Sequence, residues 1–332
     1  MILRKTTSAA MVTTIAMSAT VMLAASVAQA QTTTAAPSVK SGVTVPARNI
    51  FALTSDNAIY VLRQNATQFA RLGRIETGVG GNIIGIDFRP IDKSATKLYA
   101  LDDLGNLFTV EMASNPFKVT KVSTMATPYT GGFTNVMDFN PVANALRVMG
   151  ANDQNLAVVN GTDGTSLTTT VAQTRFAYAA GDVNAGQDPE IVGGAYSNNF
   201  AGATSTLFYM IDHAKDTLVT IATLTATGSS NTAGGQLKTI GSFVGTDGGP
   251  LNMSPTTDFD IYTDANGANF LVGQTTRLLF SIDLSQVNPN LPLGQTQKIV
   301  VRRGPAAPLP TGANAPLTGG VFDIAIPART TP

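Results

Sequence analysis

One motif recurs along this chain, and its recurrence restricts the fold more than any other feature. Residues Ile84–Pro90 (IGIDFRP) and Asn135–Pro141 (NVMDFNP) are two copies of one pattern, an apolar run carrying Asp87-Phe88 or Asp138-Phe139 and closed by proline before a turn. Weaker copies lie at Val192–Tyr196 and Thr257–Tyr262, and a last one, Gly319–Ile326 (GGVFDIAI), stands near the C-terminus. Between the copies run pairs of β-branched and aromatic segments joined by Asp/Asn/Gly turns. Their first apolar residues pair as Ile50 with Ile59, Leu98 with Leu107, Leu146 with Leu156, Leu207 with Leu218, and Phe270 with Leu279. Each pair reads as a β-hairpin.

The first hairpin, from Asn49, has no motif before it, and the last motif has no hairpin after it. The two orphans complete one another, so the C-terminal strand is expected to pair with the first hairpin and close a ring. Radial repetition with termini meeting in one blade is how a β-propeller removes its open sheet edge. Counting Asp87, Asp138, Tyr196, Asp260 and Asp323 predicts an all-β propeller of five blades. The repeats exceed the roughly 40–50 residues of a four-stranded blade. Insertions are therefore expected at 184–188, 228–235, 245–254 and 287–296, and a sixth blade fits if one of them hides a degenerate copy. A β-sandwich of similar hairpins is the competing architecture.

The N-terminus has a different character. Arg4 and Lys5 precede a long Ala/Met/Val/Thr stretch that ends in Ala28-Gln29-Ala30. This is the pattern of a secretory signal, cut before Gln31. The expected organisation is a signal peptide at 1–30, a flexible Thr/Ala/Pro/Ser-rich leader at 31–47, one propeller domain at 48–327 and a tail at 328–332. No other run is long enough to cross a bilayer as a helix, which places the mature chain in the periplasm or outside the cell. Leu309–Gly312 faintly resembles a sortase signal but lacks its hydrophobic span and basic tail, and reads as loop.

Composition narrows the chemistry. The 332 residues include no Cys, no Trp and one His, so disulfides, Cys-ligated metals, thiol nucleophiles and any site with two imidazoles are excluded. The 21 basic and 21 acidic side chains balance, which argues against a nucleic-acid partner. Only 13% of residues are charged, against about 25% in an ordinary soluble domain. The surface must be finished with Thr, Ser, Asn, Gln and Gly, a finish that suits an exported β-protein.

Longer strings carry a family likeness. Residues 85–90, 137–141, Phe176–Gly186 (FAYAAGDVNAG) and Ala195–Thr206 (AYSNNFAGATST) resemble domain of unknown function 4394 (DUF4394), a bacterial family of exported, propeller-like proteins. The likeness runs from about Asn49 to Ile326 and is least clear in the last third. It implies fold and export, and it brings no activity, cofactor or catalytic residue.

Candidate site residues fall into two groups. Asp87, Asp138, Asp260 and Asp323 recur at equivalent places on the strand nearest the channel. Glycan-cleaving propellers use such carboxylates as acid and base or nucleophile. A residue repeated in every blade is more economically structural, however, because catalysis needs two carboxylates in unlike environments. The second group is Asp182, Asn184 and Asp188, whose alternate spacing in GDVNAGQDPE matches the way a loop presents oxygens to calcium. The EF-hand glycine is replaced by Gln187 and the closing Glu by Gly193, and an Asx-rich turn explains the same residues. Asp264-Ala265-Asn266-Gly267 is a weaker version, better read as a hairpin turn. His213 is expected in an exposed turn, Gly78–Gly81 in a loop without phosphate-binding spacing, and Arg302-Arg303 at an exposed strand end. No cofactor other than calcium is expected. The expected role is a monomeric, non-catalytic module binding a glycan or a cell-envelope protein. The alternatives are a hydrolase or lyase acting on extracellular glycans through channel carboxylates, and a calcium-stabilised structural protein.

Overall fold

The computed structural model describes residues 38–40, 43–45, 48–64, 66, 68–132, 135–163, 166–275, 278–306 and 321–329. The signal segment, Leu309–Gly312 and residues 330–332 lie outside the described residues. Five antiparallel sheets form a five-bladed β-propeller. A short hairpin of β1 (Ser38–Lys40) and β2 (Val43–Val45) precedes the ring. Blade 1 contains β3 (Ile50–Thr54), β4 (Ala58–Leu62) and β5 (Ala70–Arg74), and blade 2 contains β6 (Ile83–Asp87), β7 (Lys97–Asp102), β8 (Asn106–Glu111) and β9 (Lys118–Thr124). Blade 3 comprises β10 (Asn135–Asn140), β11 (Ala145–Gly150), β12 (Asn155–Asn160) and β13 (Leu167–Ala172). After β14 (Ala177–Tyr178), blade 4 follows as β15 (Ile191–Tyr196), β16 (Phe208–Asp212), β17 (Thr217–Ile221) and β18 (Gln236–Val244). Blade 5 is β19 (Asp258–Thr263), β20 (Asn269–Thr275), β21 (Leu278–Asp283) and, after β22 (Gln297–Val300), β23 (Arg302–Ala306).

The last strand, β24 (Val321–Ala325), pairs with β3, Ile324 opposite Ala52 and Ala325 opposite Phe51. It supplies the inner strand of blade 1, so the two ends of the chain close the ring. Inner strands pack side by side in the order β24, β6, β10, β15, β19 and back to β24.

Burial explains why the inner strands lack simple in-out alternation. The inner strands β6, β15 and β19 are buried at every position, because both faces of an inner strand meet a neighbouring blade, and β3 and β4 behind β24 are buried throughout as well. Phe51 and Leu53 pack toward Ile86 and Phe88 of blade 2, whereas Ile50 and Ala52 pack toward Tyr262 and Val272 of blade 5. The core is therefore five apolar layers, one between each pair of adjacent blades. Outer strands such as β5 and β9 return to a half-exposed pattern. Hairpin turns use residues that tolerate positive φ, Asn57 in blade 1 and Gly105 in blade 2 among them.

Two features differ from the sequence reading. The stretch expected as a flexible leader contains the β1–β2 hairpin, whose Val43 is 1% exposed and packs with the blade 5–blade 1 layer. The long insertions build no sixth blade. Instead β14 and β22 each pair in parallel with part of β18, so that blade 4 is widened and its outer edge covered.

Candidate functional site

The inner strands run in one direction, so all of their C-terminal ends reach the same face of the ring. On the strands themselves sit the repeated carboxyl groups, and each is used to tie its blade to another. Asp323 of blade 1 accepts from the Ile86 amide of blade 2 at 2.5 Å, and Asp87 of blade 2 accepts from the Phe139 amide of blade 3 at 2.7 Å. Asp138 of blade 3 accepts from the Tyr196 amide of blade 4 at 3.0 Å. From blade 5, Asp260 accepts from the Ile326 amide at 2.6 Å and Asp258 from the Ile324 amide at 2.8 Å. Blade 4 carries no carboxylate on its inner strand, Ile191–Tyr196 (IVGGAY).

Asp258 was not singled out from the sequence, although the Asp-Phe dipeptide of this blade falls at Asp258-Phe259 rather than at Asp260. The structure brings it against Asp323, both carboxyl groups accepting from the one Ile324 amide at 2.8 Å, and two buried carboxyl groups this close favour holding a proton between them. Burial, with no basic partner among the described residues, pushes Asp258 up to about 7 and Asp260 to about 8. Burial first, and then the neighbouring carboxylates, raise Asp87, Asp138 and Asp323 in the same direction.

The other group of residues is arranged differently. Asp182 is buried, and both of its oxygens are engaged: Oδ2 by the Thr239 amide at 2.7 Å, Oδ1 by the Thr239 hydroxyl at 2.8 Å and the Asn184 amide at 2.9 Å. Asn184 donates to the same Thr239 hydroxyl at 3.0 Å. Asp188 is exposed and stands near the carboxyl of Asp153, which burial first and then the Asp188 charge raise to about 6. Asp182 and Asn184 thus meet on Thr239, while Asp188 turns to another carboxylate. Among the described residues no three His, Cys, Asp or Glu side chains converge as metal ligands. His213 is half-buried in the β16–β17 turn, Gly78–Gly81 lie in the loop before β6, and Arg302 and Arg303 are exposed on β23.

Two clefts open on the face reached by the C-terminal ends of the inner strands. One, of about 470 Å3, lies between blades 4 and 5 and is lined by neutral groups including Ser197, Asn198, Ser205, Tyr209, Asn269 and Ser285. Its floor joins the blades through amides: the Asn198 amide N–H donates to Asn269 Oδ1 at 2.8 Å, and Asn269 Nδ2 donates to Asn198 Oδ1 at 2.9 Å. The other, of about 300 Å3, lies between blades 3 and 4 and includes the buried Arg147. The β17–β18 connection separates them, with Leu224 and Gly228 facing the first cleft and Thr227, Ser229 and Ser230 the second. Sequence reading missed both clefts, because their walls come from insertions that carry no repeat.

A family model described as "Domain of unknown function (DUF4394)" matches residues 69–291. No curated protein matches the chain. Among solved structures, the chain is similar to a protein of unknown function from Bacteroides thetaiotaomicron, with 13% identity and a TM-score of 0.45 over 69% of this chain and 55% of that one. A protein of unknown function from Bacteroides caccae gives 10% identity and a TM-score of 0.37 over 74% and 73%. Myxococcus xanthus glutaminyl cyclase gives 14% and 0.35 over 68% and 89%. The chain spans about half the length of the first of these, and likenesses at this level carry no argument about activity.

Proposed function

Since the chain belongs to the DUF4394 family, a family of unknown function, we propose from its own geometry that it is a non-catalytic binding module exported from the cell. The observation that carries this reading is the cleft between blades 4 and 5. It is a concave site of about 470 Å3 walled by hydroxyls and amides with Tyr209, Leu207 and Leu224 as apolar surface. Such a lining suits a neutral, hydroxyl-rich ligand, a glycan segment above all, whose hydroxyls exchange water for Ser and Asn partners and whose ring faces lie on apolar groups. The carboxyl groups that a hydrolase would need are buried and already accept backbone N–H groups of adjacent blades, which supports a structural rather than a catalytic use.

Export rests on Arg4, Lys5 and the Ala28-Gln29-Ala30 site, and is tested by the mass of the mature protein from the envelope fraction, expected to begin at Gln31. The binding reading is tested by thermal melts against neutral glycans. A ligand at 100 times its Kd adds about 2.7 kcal/mol, a shift of several degrees. Ser285→Trp, placed on an exposed cleft position, should abolish that shift without changing the melting temperature of the free protein. Absence of any shift across neutral glycans would turn the search to an envelope protein partner. Calcium and chelator belong in the same series: a calcium shift lost in Asp182→Asn would establish the Asp182 loop as a metal site.

A further inference from the structure

The cavity between blades 3 and 4 is built unlike the neutral cleft beside it, around one buried cation. Arg147 on β11 stands opposite Asp138 in the same register in which Tyr99 stands opposite Asp87 in blade 2. A guanidinium therefore occupies a place that the neighbouring repeat fills with an aromatic ring. It is 5% exposed and held from several sides. Nε donates to Tyr196 Oη at 3.3 Å, and Nη1 donates to Asn155 Oδ1 at 2.5 Å, Gln173 Oε1 at 2.7 Å and the Leu156 carbonyl at 3.3 Å. Nη2 donates to Thr232 Oγ1 at 2.5 Å.

Every one of these acceptors is neutral. Among the described residues no carboxylate lies within ion-pair distance of Arg147. A buried charge that has hydrogen bonds but no counter-charge is costly, and an anion arriving beside it recovers that cost. The cavity is also rich in unspent donors. Nη2 carries two hydrogens and meets one acceptor. The hydroxyls of Ser229 and Ser230 accept the Thr206 and Phe208 amides, at 3.1 and 2.9 Å, which leaves their own hydrogens to donate. Both serines and Thr232 line the cavity with Arg147.

We propose that this cavity is a binding site for a carboxylate-bearing sugar, a single uronate unit seated with its carboxylate toward Arg147 Nη2 and its hydroxyls toward the serines. A volume of about 300 Å3 holds one such ring rather than an extended chain. The unit could be a free monosaccharide or the end of an acidic glycan. The site is separate from the blade 4–blade 5 cleft, and it stands or falls without it.

Calorimetry on the purified protein at low ionic strength, with glucuronate, glucose, an oligogalacturonate and sulfate as titrants, tests the assignment. Glucuronate should bind at least about tenfold more tightly than glucose, the discrimination expected for a hydrogen bond to a charged group. Arg147→Gln should remove that preference. Because Arg147 also braces the blades, a second pair of variants leaves it in place. Ala143, exposed at the cavity rim, changed to Glu should weaken glucuronate about threefold to tenfold, and changed to Lys should strengthen it, with both effects fading in salt. Heat from oligogalacturonate exceeding that from glucuronate assigns the site to a glycan end, and the reverse order assigns it to the free sugar acid. Equal affinity for glucose and glucuronate, tighter binding of sulfate than of glucuronate, or indifference to both Ala143 variants would each overturn the proposal.

Discussion

The junction between blades 2 and 3 and the junction between blades 4 and 5 meet the same demand with different chemistry. In the first, Asp87 receives the amides of Phe88 and Phe139, and Asn135 returns a bond to the Ile84 carbonyl at 2.7 Å. The inner strands are locked by a charge-capable acceptor in a fully buried place. In the second, the inner strand of blade 4 offers blade 5 no carboxylate. Gly193 lets β15 close on β19, since a Cβ there would stand 3.2 Å from the Asp258 Cα, and the blades are joined further out by the Asn198–Asn269 amide pair. The amide-bridged junction opens outward into the cleft of about 470 Å3. Repetition in this ring marks what holds it together, and departure from the repeat marks where it has room for a ligand.

The largest effect should come from breaking the ring itself. Deleting residues 321–332 removes β24, the carboxyl of Asp323 and the amides that Asp258 and Asp260 need, and it exposes the edge of β3. The truncated protein should lose its cooperative melt and bind a hydrophobic dye, whereas retention of a sharp transition would show that closure contributes little. Next, Asp87→Ala leaves two buried amides without acceptors. At about 1–3 kcal/mol each, partly offset by no longer burying a carboxyl, a net loss of about 2 kcal/mol and several degrees is expected. An unchanged melting temperature would remove the structural meaning of the repeat.

The same carboxyl groups set an acid-side stability. Asp258 and Asp260 are held at about 7 and about 8 in the folded chain, chiefly by burial, against ordinary values below 4 in the unfolded chain. Between those limits the folded state keeps protons that the unfolded state has released. Stability is therefore fully present at about pH 4 and falls as pH rises through about 8. Melting temperature measured across that range should decline. Asp258→Asn keeps an acceptor for the Ile324 amide and supplies a donor to Asp323 without a shared proton, so its melting curve should depend less on pH. A wild-type curve that rises with pH would mean that these carboxyls are ionised within the fold.

Much of this was legible in the sequence, for a physical reason. Strand pairs and the Asp-Phe motif repeat because every blade faces the same two neighbours, and the orphaned motif at Gly319–Ile326 announced ring closure. Asp260 was legible because it holds the place of Asp87, opposite the same point of the next strand and bonded to the same amide of the next blade, whereas Asp258 stands two residues earlier, off the repeated place, and was overlooked. Arg147 left a fainter signal, a charge where the preceding repeat has Tyr99. Its acceptors at Gln173 and Thr232 are brought in by loops from elsewhere in the chain, so nothing local announced them. For β14 and β22, parallel pairing with β18 spans long loops, and such short strands carry no period of their own.

The smallest and most discriminating effect concerns the amide bridge. Asn269→Ala removes the acceptor of the Asn198 amide and the donor to its side chain, also losing the Thr263 hydroxyl bond at 2.8 Å, but the site is only part-buried and water can replace these partners. The expected loss is about 0.5–1.5 kcal/mol, less than for Asp87→Ala. Combined with Asp87→Ala, the two losses should add, because the junctions lie on different sides of the ring and share no partner. A combined loss well above the sum would show that opening one junction loads the other, so that the five blades yield as one closed unit. Additivity would instead make each junction an independent lock, and the cleft between blades 4 and 5 could then widen for a ligand without loosening the rest of the ring.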